Sequence, residues 1–325
     1  SFITAFLFLT SGPLIFHAKR HIMFINYFPF LISGLFAIDQ FIDKNKFSLL
    51  ILSTTLIILS SYYFSIPSLI VLYLYYIYKY IQKEKNITIK KLLKKTSHII
   101  PPFLISIMIS ALLLLPTVYT LLNGRASSLK KINLLNLFTP SITTSLLYSP
   151  YSIGLTLISL ITLIYFALKG KKETKYLSIT CLSITIFPIF NYLLNGTLYI
   201  NAKSLIPFIP LILILVANFL NINLKNHNQK KQAFIITYLI LSSLSICLYT
   251  NSKDKLMKKS DINDKEYQTV NKLITEITKK DKDIYRINTN LNDPKYINKI
   301  ENINVKKTTI YSSTSNQNYT NTYNQ

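Results

Sequence analysis

Long apolar stretches and lysine clusters occupy separate parts of this chain, and that segregation limits its fold more than any other feature. Apolar runs of about 15 to 24 residues approach the span a helix needs to cross a bilayer, and short Lys-rich clusters punctuate them. The 325 residues carry 36 Lys+Arg against 13 Asp+Glu, a net charge of +23, while half are hydrophobic. A soluble basic protein interleaves its charges with its apolar residues, so an ordinary globular domain is excluded. A nucleic-acid-binding reading is weak for the same reason, since no folded soluble basic face is evident in the first 250 residues.

The candidate spans are 2–16, 24–42, 47–64, 66–82, 97–122, 151–168, 176–194, 204–222 and 233–250, nine crossings in all. Basic loops at Lys44 and Lys46, at Lys83 to Lys95, at Lys169 to Lys175 and at Lys225 to Lys231 are separated by even numbers of crossings, which puts them on one side. By the positive-inside rule that side is the cytoplasm. The loops 17–23, 62–66, 123–150 and 195–203, and everything after Thr250, then lie outside. The segment from Ile81 to Lys95 also reads as a basic stretch able to lie on an anionic leaflet. Cys181 and Cys247 sit inside apolar runs and are expected to be small buried hydrophobes rather than a disulfide. The opening at Ser1, without the basic flank of a signal peptide, reads as an internal piece of a longer polytopic protein.

Composition shifts at Asn251. Residues 251–325 hold 14 basic and 9 acidic residues, leaving 22 and 4 for the rest. This tail is expected to be a soluble segment, the start of an α+β domain outside the membrane. Val270, Leu273, Ile274 and Ile277 predict an amphipathic helix near 264–280, and short strands are expected at 284–287 and 309–311.

The four acids of the membrane part, Asp39, Asp43, Glu84 and Glu173, all fall at cytoplasmic helix ends, so no carboxylate base is expected outside within residues 1–250. The outer loops supply cations instead. His17-Ala18-Lys19-Arg20-His21 suits three readings: a grip on a lipid-linked phosphate, a helix anchor among headgroups, or a His17/His21 metal pair lacking a carboxylate partner. Arg125, with Lys130 and Lys131, is either a second phosphate contact or an ordinary headgroup contact. Asn195, Tyr199, Asn201 and Lys203 offer amides, a phenol and an ammonium suited to a sugar phosphate, or else form a solvated loop. Tyr62-Tyr63 reads as an aromatic belt before a sugar platform. Phosphate loops, CxxC, H-E-x-x-H and G-x-S-x-G motifs are missing, so no metal and no cofactor are assigned.

The run Ser11-Gly12 through Phe16-His17-Ala18-Lys19-Arg20-His21 to Pro29-Phe30 resembles the YfhO family of bacterial membrane proteins. Leu115-Pro116-Thr117 with Gly124-Arg125, Asn195 to Tyr199 with Lys203 to Phe208, and Tyr285-Arg286 with Tyr311-Ser312-Ser313 are similar too. The resemblance implies a GT-C-like fold: an all-α polytopic bundle of about nine transmembrane helices over 1–250, followed by an extracytoplasmic segment over 251–325. It implies a multi-pass cell-membrane glycosyltransferase of a Gram-positive bacterium, moving sugar from a polyprenyl-phosphate donor to a cell-wall polymer acceptor such as lipoteichoic acid. His17, Lys19, Arg20, His21, Arg125 and Lys203 would bind the donor phosphate, and Asn195, Tyr199 and Asn201 would contact sugar or acceptor. The catalytic Asp of such enzymes would precede Ser1. Membrane lipids, a partner transferase and a flippase are the expected partners, and nucleic acid is not. The alternatives are a flippase or transporter of lipid-linked glycans, and a non-catalytic scaffold of a glycosylation complex. Transport is disfavoured because no ionisable group is expected at mid-membrane.

Overall fold

The structure, a computed structural model, describes residues 2–84, 88–122, 135–140, 148–196, 200–225, 227–252, 265–280, 286–287 and 306–307. Helices dominate them: α1 Phe2–Leu9, α2 Gly12–Arg20, α3 Phe28–Lys44, α4 Ser48–Ser60, α5 Tyr62–Lys83, α6 Ile89–Thr96, α7 Ile100–Ile109, α8 Ala111–Leu122 and the short α9 Leu135–Phe138. There follow α10 Leu157–Lys169, α11 Lys172–Ile186, α12 Pro188–Leu194, α13 Ile209–Lys225, α14 Gln229–Ser252 and α15 Lys265–Lys280. Short 3-10 segments at Ile22–Phe24, Ser97–Ile99 and Ala202–Phe208 lead into α3, α7 and α13.

Among the described residues, five segments are long and apolar enough to cross a membrane: Ile22–Lys44, Tyr62–Lys83, Lys90–Ile109, Ala202–Lys225 and Gln229–Tyr249. Two bent pairs raise the number to seven, α1 with α2 at 47° and α11 with α12 at 85°. Of the nine expected spans, 47–64 and 151–168 correspond to α4 and α10, each 13 residues and so about 20 Å long, short of a hydrocarbon core of about 30 Å. The expected span 97–122 is likewise divided, at Ser110, between α7 and α8.

Each sharp bend has a local cause. Ser11 is extended (φ −63°, ψ 144°), and Gly12-Pro13 restarts the helix with a residue that has no N–H. Phe187 is extended because it precedes Pro188, whose ring disfavours helical geometry in the residue before it.

The chain divides into two compact units, Ser1–Leu114 with Leu129–Lys253, and Leu115–Ser128 with Asp254–Gln325. In the first, α3, α4 and α5 pack on one another, α11 packs on α5, and α10 and α13 pack on α11 and on each other. Leu31 and Ile38, Leu50 and Ile57, Val71 and Leu72, and Leu215 and Val216 fill the core. A left-handed Asn45 (φ 55°) closes the turn from α3 to α4. At the far end the Asn26 amide donates to the Ser60 carbonyl at 3.4 Å, and Tyr27 stacks on Phe64 at 5.0 Å. Thus α4, short as it is, returns the full length of α3, and α5 starts beside the start of α3.

Lysines gather at the other end. Lys79 pairs with Asp39 at 3.1 Å and Lys83 with Asp43 at 3.0 Å, joining the last turns of α3 and α5. The Asn218 amide donates to the Tyr78 hydroxyl at 3.1 Å, which brings the last turns of α13 to the same level. The lysine-bearing ends of α3, α5 and α13 therefore coincide, as the even spacing of the basic loops requires. Both cysteines are buried and unpaired.

The second unit contributes α15, where Ile274 is 2% exposed while Leu273 and Ile277 are open, and a two-residue parallel pairing of Arg286–Ile287 with Lys306–Lys307. The helix expected at 264–280 is present, and Arg286–Ile287 falls within the first expected strand. The second expected strand, 309–311, lies outside the described residues, and one two-residue pairing does not amount to the α+β domain expected of the tail.

Candidate functional site

The end of the bundle opposite the lysines is built around the α1–α2 bend. A helix break releases backbone groups that must find partners inside a membrane protein. Here one loop, 148–156, buried over 152–156, meets them. The Tyr148 hydroxyl donates to the freed Thr10 carbonyl at 2.7 Å, and the Gly12 N–H donates to the Gly154 carbonyl at 2.9 Å. The approach is so close that a Cβ on Gly12 would lie 2.4 Å from the Ser149 oxygen, and Gly154 holds φ +59°. The Thr10 hydroxyl donates to Phe6 at 2.9 Å and so accepts from Ser243 of α14 at 2.8 Å.

That seating carries His17 inward. It is 0% exposed, and its Nε2–H donates to the Pro150 carbonyl at 2.9 Å, because a carbonyl only accepts. Nδ1 has no partner among the described residues, which suits a bare acceptor of the neutral tautomer and not a second N–H. The phosphate-gripping role expected of His17 is therefore not available to it: its ring is spent on packing and on holding the loop. It lies 4.7 Å from the Phe24 ring and 5.3 Å from Tyr151.

Phe24 and Tyr151 in turn receive Lys203. The ammonium lies 5.4 Å from the first ring centroid and 4.8 Å from the second, two cation–π contacts on one half-buried lysine. Residues 17–24, 148–156 and 203 are far apart in sequence and meet here. Arg20, exposed, stands 5.2 Å over Phe16, whose ring in turn contacts Tyr151 at 5.3 Å. His21 is exposed and lies 5.8 Å from His17, 5.5 Å from Phe24. Lys19 is exposed on the same turn. The Nε2 of His17 is occupied by the Pro150 carbonyl, and no group of three or more His, Cys, Asp or Glu converges among the described residues.

The amides behave differently from expectation. Asn195 is 6% exposed and fully engaged: its Oδ1 accepts from Tyr63, and its Nδ2 donates to Asn191 at 2.6 Å and Asn201 at 2.9 Å. It knots the α12 end to α5 and to the 3-10 segment. Tyr63 is thus part of this knot and is not accounted for as a membrane-belt residue. Asn201 caps the 3-10 segment, its Oδ1 accepting from the Lys203 N–H at 3.0 Å, and so sets where Lys203 begins. Arg125, Lys130, Lys131 and Tyr199 lie outside the described residues.

Phe24, Tyr151 and Pro150 were not legible as site residues. The signal for Tyr151 was only an aromatic next to a proline in a segment that reads as the start of a span. Electrostatically the site is one-sided: of the four acids described in the helical unit, Asp39 and Asp43 are at the lysine end, and Glu84 and Glu173 follow or begin helices there. Arg20 stands exposed over Phe16 and Lys203 is held between two rings, and none of the four acids described in the helical unit lies at this end.

A family model described as bacterial membrane protein YfhO matches residues 1–187, more than half of the chain and inclusive of the α1–α2 bend and the loop 148–156. Asn195 to Phe208 lie beyond the matched region. No curated protein and no solved structure matches the chain.

Proposed function

Because the chain belongs to the YfhO family of bacterial membrane proteins, we propose that it is a multi-pass membrane glycosyltransferase that takes a sugar from a polyprenyl-phosphate donor and passes it to a cell-wall polymer such as lipoteichoic acid. The observation that carries the reading is Lys203 seated on the Phe24 and Tyr151 rings, with Arg20 over the neighbouring Phe16, at the end of the bundle opposite the lysine clusters. In this reading the short α4 and α10 and the two bent pairs complete nine crossings, and the site faces outward.

The donor phosphate would sit against the Arg20 guanidinium and the Lys203 ammonium. The fork of the first can donate two parallel hydrogen bonds, and the second supplies a compact charge. As the sugar–phosphate bond breaks, negative charge grows on the departing phosphate, and fixed cations there lower the barrier. Phe24 and Tyr151 would exclude water from Lys203 and flank the first isoprenes. His17 would act through Pro150, keeping the loop that carries Tyr151 in place. The acceptor hydroxyl needs a carboxylate base, which the described residues of this end do not supply.

The test is transfer of labelled sugar from a polyprenyl-phosphate donor by the full-length protein in proteoliposomes, with Arg20→Ala expected to abolish it. Normal transfer by that variant removes Arg20 from the reading. A flippase of lipid-linked glycans is the second reading, in which the same cations would hold the lipid phosphate. Movement of the labelled lipid across the vesicle membrane without bond formation would select it.

A further inference from the structure

A basic helix at the lysine end stands apart from the site. The segment α6 is capped at its start by Thr88, whose hydroxyl accepts from the Lys91 N–H at 3.4 Å. At 100° per residue, Lys90, Lys91, Lys94 and Lys95 occupy one arc of about 140°, and Leu92, Leu93 and Thr96 the opposite arc of about 100°. The two arcs do not overlap. All four lysines are exposed, and no ion pair to any of them is found among the described residues.

Its attachment fixes which way it faces. The Tyr76 hydroxyl of α5 donates to the Lys95 carbonyl at 3.0 Å, and Thr96 is buried, so the C-terminal edge is docked on the bundle. Leu93, on the same apolar arc, remains 64% exposed. The helix then runs through Ser97–Ile99 into α7, part of the candidate span Lys90–Ile109. A short helix that enters a span, with its leucine uncovered and its lysines on the other side, has the layout of a segment at the headgroup boundary.

We propose that α6 is a docking surface for anionic phospholipid, with Leu93 inserted among the first acyl carbons and the four lysines on the headgroup phosphates. Charge complementarity selects this occupant: four cations without an ion pair among the described residues, on an arc that carries no carboxylate, next to a leucine that water would otherwise wet. Each lysine near an anionic surface corresponds to a roughly fivefold bias toward it, so four together make a composition-dependent contact. The inference does not depend on the transferase reading.

The chain has no tryptophan, so Leu93→Trp creates a single fluorescent reporter. The full chain carrying L93W would be placed in nanodiscs of phosphatidylcholine or of phosphatidylglycerol, each with brominated acyl chains. Quenching should be at least about twofold stronger in the anionic discs, fall with salt, and lose its lipid preference when Lys90, Lys91, Lys94 and Lys95 are all changed to Gln. Equal quenching in both discs, unaffected by salt, would mean an apolar contact without headgroup recognition and overturn the proposal. Quenching by aqueous iodide in the anionic discs would overturn it as well, leaving the basic arc for an acidic protein partner. The lipid and salt comparisons need only L93W, so misfolding of the Gln variant would not blur the outcome.

Discussion

Two glycines with nearly the same backbone angle separate conformational strain from steric fit. Gly154 has φ +59° and Gly196 φ +66°, and both substitutions to Ala force an L residue into the left-handed region, at about 1 kcal/mol. At Gly196 the new Cβ meets nothing within 4 Å. At Gly154 it would come within 2.4 Å of both Pro13 Cδ and the Ser149 carbonyl oxygen and 2.9 Å of the Gly12 nitrogen. Two of these are backbone atoms and the third belongs to a proline ring, so none can swing away as a flexible side chain would, and the loop must lift off the α1–α2 bend. Overpacking costs about 1–3 kcal/mol, and losing the Gly12–Gly154 bond strands a donor and an acceptor for about 1–3 kcal/mol more. Gly154→Ala should therefore be roughly 3 kcal/mol worse than Gly196→Ala, about 6–12 °C in Tm for a unit of this size. The assay is thermal unfolding followed by a thiol-reactive dye, because Cys181 and Cys247 are both buried and label only on opening. Cys247 contacts Tyr148 of the displaced loop, so in a Cys181→Ala background it should label faster in the Gly154 variant even below the transition. Equal Tm values for the two glycine variants would falsify the steric argument and with it the claim that this loop is seated by close backbone approach.

Three further outcomes test other parts of the account. Asn195→Ala should cost about 3 kcal/mol, since it strands the Tyr63 hydroxyl and two carbonyls in a buried knot, while Tyr63→Phe should cost about half as much; a smaller loss for Asn195→Ala in the same dye assay would release the amide for a ligand role. Lys203→Gln should change Tm little yet weaken binding of a labelled polyprenyl phosphate by tenfold or more, and undiminished binding would remove Lys203 from the site. Asp39→Asn, at the other end and partly exposed, should lower stability by no more than about 1 kcal/mol and leave donor binding unchanged, so a binding loss there would contradict the separation of the two ends.

The membrane helices were legible because apolar content over a span-length window is a property of composition, and the lysine clusters mark one end without knowledge of packing. Breaks were harder. Pro188 announces its bend through Phe187, but Thr10-Ser11-Gly12-Pro13 is a signal only once the loop that meets it is known, and that loop has no periodicity to find. At the site, the cluster at 17–21 and Lys203 were visible as cations, whereas their division of labour was not. His17 differs from Lys19 and Arg20 only by which side of one turn it occupies, and that side is decided by Pro150, 133 residues away. Asn195 shows the same limit: an amide reads as a sugar ligand until the three groups that consume it are in place.

Thr10 has a consequence for assembly. Its hydroxyl waits on Ser243, 233 residues later, and its carbonyl on Tyr148, 138 residues later. At ribosomal speeds of 5–20 residues per second Tyr148 follows Thr10 by roughly 7 to 28 s and Ser243 by roughly 12 to 47 s. During that interval the bend holds unmet polar backbone in or near lipid, so α1 and α2 need a temporary host, and the bundle locks only when α14, the last helix of its unit, slides into register against the first.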